Sequence, residues 1–155
     1  MTTEPASELE RLYRKDGVRL WRSLVGFTGD PGLAEEAAAE AFAQALGRGE
    51  AVREQDRWVW RAAFRIASGE MKRRAQLRPL DESPSVEMAE PPIDLLAALG
   101  QLSPKQRATL ILRFYAGHPT KEVAEILGST ATTVRVHIHL GRKRLRQILE
   151  GAGDG

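Results

Sequence analysis

Apolar residues in the first part of the chain recur at helical spacing: Leu9, Leu12, Tyr13, Leu20, Leu24 and Phe27. This i, i+3, i+4 series predicts one amphipathic helix with those side chains turned inward. Ser7 followed by Glu10 supplies a capping box for its start. Asp30 then precedes Pro31, a capping carboxylate before a residue suited to the first helical position, and the alanine-rich GLAEEAAAEAFAQAL predicts a second helix. The loop GRGEAVREQ follows. Asp56 is the expected cap of a third helix, RWVWRAAFRIASGEMKRR, with Val59, Ala62, Ala63, Ile66 and Met71 as its apolar stripe. Its other faces carry Arg57, Arg61, Arg65, Lys72, Arg73 and Arg74, so this helix is basic where it meets water.

Helical periodicity returns in SPKQRATLILRFYAG, with Ser103 as cap, Pro104 at the first helical position and Gln106 completing a second capping box. Leu110, Ile111 and Phe114 are its expected buried face, and Gly117 its end. In the following TKEVAEILGSTATTVRVHIH, Val123, Ala124, Leu127, Gly128 and Val134 stand at the offsets of a helix-turn-helix. Small Ala124 lets two helices approach, Gly128 permits positive φ in the turn, and the three aliphatic residues seal the angle.

The stretch TTVRVHIHLGRKRL reads two ways. Val134 to Leu140 alternates apolar and polar residues like a half-buried strand. A strand here has no partner, because nothing else in this half resembles one. Six β-branched residues between Thr130 and Ile138 weaken a helix by at most roughly 0.7 kcal/mol each, which packing of Val134, Ile138 and Leu145 can offset. Thr130 is a suitable N-cap, and the helix is the expectation. The predicted fold is therefore all-α.

Composition adds a division of the chain. Residues 79–94 carry five acids and no base, and PLDESPSVEMAEPP holds four of the eight prolines with no apolar period. That predicts an extended acidic linker over residues 79–92, between two small helical domains at 1–78 and 93–155. The formal charge is only +2, but the sequence pI is near 9.2 and the bases are clustered. Residues 57–78 hold seven against one acid, and residues 129–149 hold five against none. The chain has no cysteine, which excludes disulfides, thiol nucleophiles and cysteine-ligated metals. No apolar run is long enough for a membrane span, and MTTEPASELERL lacks the form of a signal peptide. A cytoplasmic location, on the nucleoid, is expected.

These basic blocks point to nucleic acid rather than to catalysis. On a helix, Ala131, Thr132, Arg135, Val136 and His139 face outward near its start, where arginine can donate twice to guanine and Thr or Val can meet a thymine methyl. Arg142, Lys143, Arg144 and Arg146 lie further along and suit phosphates. The histidines offer no metal or acid-base pair, since His137 and His139 are about 200° apart on a helix, and no Gly-rich phosphate loop occurs. No cofactor and no enzymatic activity are expected.

Both halves resemble a sigma factor of bacterial RNA polymerase, sigma-70 family, of the short extracytoplasmic-function type. LYRKDGVRLWRSLVGFTGDPGLAEEAAAEAF and WVWRAAFRIASGEMKRR resemble the family's second conserved region, and LGQLSPKQRATLILRFYAGHPTKEVAEILGSTATTVRVHIHLGRKRLRQIL its fourth. The resemblance implies transcription initiation: binding to core RNA polymerase through Glu36 and Glu40, and capture of a flipped minus-10 base by the loop from Gly47 to Gln55. It further implies single-strand contacts by Arg57, Arg61, Arg65, Arg73 and Arg74. The minus-35 duplex is then read by Thr130, Ala131, Thr132, Arg135, Val136, His139, Arg142 and Lys143, and an anti-sigma factor is an implied partner of a chain that is monomeric when free. Trp58 is expected to pack rather than to stack on bases. Ala39, Arg65 and Gly69 replace the Gln, Asn and Asp usual in the family, and Pro119 stands where a serine cap is common, leaving Thr120 as the expected cap. The alternative is a stand-alone regulator, because TTVRVH also resembles the recognition helix of LuxR-type proteins.

Overall fold

The computed structural model describes residues 5–49, 54–77 and 95–153, and every regular element among them is helical. Helix α1 runs Pro5–Thr28, α2 Pro31–Arg48 and α3 Gln55–Leu77. The second half contains α4 Leu95–Gly100, α5 Pro104–Leu110, a five-residue π-helical turn Ile111–Tyr115, α6 Thr120–Leu127 and α7 Ala131–Gly153. The expected linker at 79–92 and residues 50–53 of the loop expected to capture a base lie outside the described residues.

Three of the six expected caps form. Asp30 Oδ1 accepts from the amides of Gly32 and Leu33 at 3.0 and 3.1 Å, and Ser103 Oγ accepts from Gln106 N at 3.2 Å. Thr130 Oγ1 accepts from Thr133 N at 3.1 Å, so two otherwise unpaired amides at the start of α2, and one each in α5 and α7, are satisfied. Three caps differ. Helix α1 begins at Pro5, two residues before Ser7, and α3 at Gln55, one residue before Asp56. The cap position of α6 is Pro119, with no side-chain bond, and Thr120 is already the first helical residue.

The strand-like stretch is helical throughout. Val134 is fully buried, and Ile138 and Leu145 pack partly buried against the core. Alternation is incidental here, because the helix needs only every third or fourth side chain for its buried face.

Two apolar residues fall on the opposite side from that expected. Tyr13 is exposed, its ring edge-on to Phe42 of α2 at 5.2 Å. Phe114 is also exposed. At α-helical spacing it shares a face with Leu110 and Ile111, but Ala116 N bonds to Ile111 O at 2.9 Å across five residues. The wide turn inserts one residue, so Phe114 rotates outward and Ala116 becomes the next buried side chain.

The halves share one core. Leu20, Leu24, Phe27, Val59, Trp60 and Phe64 of the first half join Leu102, Leu112, Val123 and Val134 of the second in a single buried cluster. Gly26 permits part of this packing: a Cβ there would stand 3.1 Å from Ile111 Cδ1. Arg107 is buried, with Nε donating to Phe27 O near the end of α1 at 2.7 Å and Nη1 to Leu102 O at 3.2 Å. Burial pulls its guanidinium below the ordinary arginine value, while the C-terminal end of α1 favours a cation. Arg19 Nη1 donates to Ala116 O at 2.5 Å, and Asp16 accepts from both Arg19 and Trp60 Nε1. His118 meets Trp60 edge-on at 4.5 Å and lies 3.2 Å from Glu122.

Candidate nucleic-acid interface

The strongest candidate surface is built by α6 and α7. Helix α6 ends at Gly128, whose φ of +64° is the left-handed conformation that costs other residues most. Ser129 N bonds back to Ala124 O at 2.8 Å, closing the turn. Val123, Ala124 and Val134 are buried beneath it and Leu127 partly so, which fixes how α7 leaves the turn. Thr130, Thr132, Arg135, Val136 and His139 are exposed, and Ala131 is half-buried. One narrow strip at the start of α7 thus presents a guanidinium, hydroxyls, methyl groups and an imidazole, the functional groups that distinguish base edges in a major groove. Arg142, Lys143, Arg144 and Arg146 are exposed beyond it.

Close packing holds this helix. A Cβ at Gly141 would approach Leu110 Cδ1 to 3.2 Å, so α7 lies flush on α5.

The cations expected to hold single-stranded DNA are more scattered. Arg61 and Arg65 are exposed on one stripe of α3. Arg57 is half-buried and bound to Glu54 at 3.3 Å and, across the halves, to Glu125 at 3.2 Å and Glu122 at 3.5 Å. Glu125 first, then Glu54, raises its guanidinium above the ordinary value. Arg73 is bonded to Glu70. Arg74 joins Glu70 at 3.1 Å and Asp30 at 2.9 Å and reaches Glu36 at 3.9 Å. The amide of Leu33, helped by those of Gly32 and the Arg74 side chain, keeps the Asp30 carboxyl below its ordinary range. Arg74 therefore ties the end of α3 to the cap of α2, a structural task that its place in a basic run does not reveal.

Glu36 and Glu40 are both exposed on α2, one turn apart, with Gln44 donating to Glu40 at 3.0 Å. Trp58 packs partly buried with Arg48 over its ring at 5.3 Å, and Trp60 is fully buried. Neither indole is a free stacking platform. Among the described residues no group of His, Asp and Glu is arranged to hold a metal ion, and no helix is long and apolar enough to cross a membrane.

Comparison with known proteins covers both halves. A family model described as sigma-70, region 4, matches residues 93–145. Over 153 residues the chain is 30% identical to the RNA polymerase sigma-E factor of Streptomyces coelicolor, spanning 92% of this chain and 86% of the relative. It is 29% identical over 164 residues to the ECF RNA polymerase sigma factor SigL of Mycobacterium tuberculosis, spanning 96% and 92%. The fold is similar to the sigma factor RpoE solved with the anti-sigma factor NepR from Bartonella quintana, with a TM-score of 0.76, 17% identity and coverage of 92% and 97%. It is also similar to CnrH solved with the cytosolic domain of CnrY, with a TM-score of 0.71, 21% identity and coverage of 92% and 88%.

Proposed function

The chain belongs to the extracytoplasmic-function sigma factors of bacterial RNA polymerase, and from that premise we propose how its two halves divide the work of starting transcription. The domain at residues 1–78 docks on core polymerase through Glu36 and Glu40 of α2 and holds the opened minus-10 strand with Arg61, Arg65 and Arg57. The domain at 93–155 reads the minus-35 duplex with α7. The observation that carries this reading is the exposed strip from Thr130 to His139 on a helix fixed by the turn at Gly128. Base-reading groups lead, and Arg142 and Lys143 follow to hold phosphates.

The stand-alone LuxR-type reading does not stand. The relatives span more than nine-tenths of the chain, α1 to α3 included, and are named as sigma factors. No reaction is assigned to the protein, and its place of action is the nucleoid. Core polymerase and promoter DNA are its partners, and an anti-sigma factor its inhibitor, in keeping with the complexes in which its structural neighbours were solved. In the packed arrangement Arg57 faces Glu122 and Glu125, so its use on DNA requires it to exchange those carboxylates for phosphate.

The test is in vitro transcription with core polymerase across a promoter library. Initiation at a subset of promoters sharing two elements is expected. Duplex binding without any dependence on core polymerase would return the protein to the class of stand-alone regulators.

A further inference from the structure

Phe114 is a large apolar side chain left in solvent, 54% exposed, by the π-helical turn that rotates it away from the core. Turns of this kind interrupt a helix at a cost and are frequent at functional sites. Two guanidinium groups lie over its ring: Arg142 at 5.3 Å from the centroid and Arg113 at 5.5 Å. Neither arginine has a carboxylate within ion-pair distance among the described residues. The seating follows from two neighbouring features. Gly141 brings α7 flush against Leu110, which sets Arg142 beside the end of α5, and the wide turn then swings Phe114 beneath it.

Two like charges beside one ring repel each other unless something between or beyond them is negative. The ring face supplies a weak attraction to each, and a guanidinium lying over it keeps its N–H donors at the rim, free for an acceptor. What completes such a pair is an anion on the α7 side. With α7 in a major groove, the first anion available there is a backbone phosphate.

We propose that Phe114 is a positioning residue whose ring holds Arg142, together with Arg113, as a paired donor for a DNA backbone phosphate beside the base-reading end of α7. The inference rests on α7 being the duplex-contacting helix, and it adds Arg113 and Phe114 to that surface. Bonds to phosphate carry no sequence preference, so the test needs no promoter: the full-length chain is titrated with a mixed-sequence DNA duplex at several salt concentrations.

Phe114→Leu, which keeps apolar bulk and removes the ring, is expected to weaken duplex binding several-fold at low salt. It should also flatten the dependence of log K on log salt by about 0.9 for each phosphate that the variant no longer neutralises. Phe114→Tyr retains the ring and should retain both affinity and slope. With Arg113 and Arg142 both replaced by Ala, Phe114→Leu should add no further weakening. Unchanged affinity and slope in Phe114→Leu would overturn the stacking role while leaving the sigma-factor reading intact, as would a full Phe114→Leu effect in the double-arginine background. Failure of the unaltered chain to bind any duplex at low salt would overturn this inference and the reading of α7 together.

Discussion

Helices α3 and α7 each run 23 residues, and each carries a dense block of arginine and lysine. On α3, Arg57, Arg73 and Arg74 all sit against carboxylates, drawn from Glu54, Glu70, Asp30, Glu122 and Glu125. On α7, none of Arg135, Arg142, Lys143, Arg144 and Arg146 has an acidic partner within ion-pair distance among the described residues. Similar basic content thus hides two uses of charge. Exposed ion pairs contribute little to stability, so those of α3 chiefly orient helix ends and the second half. The unpaired cations of α7 retain their attraction for an external polyanion, with the salt dependence that this entails.

The largest expected effect lies inside α3, away from its charges. Trp60 is among the most completely buried side chains, stacked near Phe64 and touching His118 of the second half. Trp60→Ala should cost about 3–5 kcal/mol of stability, seen as a lower midpoint in denaturant unfolding. Trp58→Ala, at a partly buried site, should cost clearly less. If the two variants unfolded alike, α3 would not be the central strut that this contrast requires.

That contrast also marks where the sequence stops being legible. Elements built from nearby residues are readable: the caps at Asp30, Ser103 and Thr130, the turn at Gly128, and the helical state of Thr132 to Leu145 despite its alternation. Their physics spans a few positions. Trp60 and Phe64 fall outside the expected stripe of α3, because that stripe assumes a free-standing three-helix domain and the second half covers a further face. Arg107 inside the core, Arg57 bound across the halves and the clearance at Gly26 depend on residues far apart in sequence, and no local pattern announces them. Phe114 escapes for a different reason. One extra residue in a turn breaks the period on which the expectation of burial rests, and the surrounding sequence LILRFYAG gives no sign of it.

On α7 the expected effects concern DNA. Arg135 is exposed on the base-reading strip, so Arg135→Ala should weaken binding to the preferred promoter by about 1–3 kcal/mol and relax preference at one base position. Binding to systematically varied minus-35 duplexes measures both. A uniform weakening across all sequences would assign Arg135 to the phosphates, and the strip would then lose its division into reading and holding ends.

The smallest effect is a titration that only α3 should show. Glu70 lies between Arg73 and Arg74, and the hydrogen bonds from Arg73 first and Arg74 second lower its pKa from 4.5 to about 2. The folded chain therefore binds this proton more weakly than the unfolded chain does. Its contribution is fully present above pH 4.5 and fades as pH falls toward about 2. Thermal midpoints of the unaltered protein and of Glu70→Gln should differ most near neutral pH and converge across that window. Because the pair is exposed, added salt should shrink the gap at neutral pH as well. A gap that stayed constant down to the acid limit would mean that Glu70 acts through packing rather than charge. The α3 block would then differ from α7 in its neighbours but not in its electrostatics.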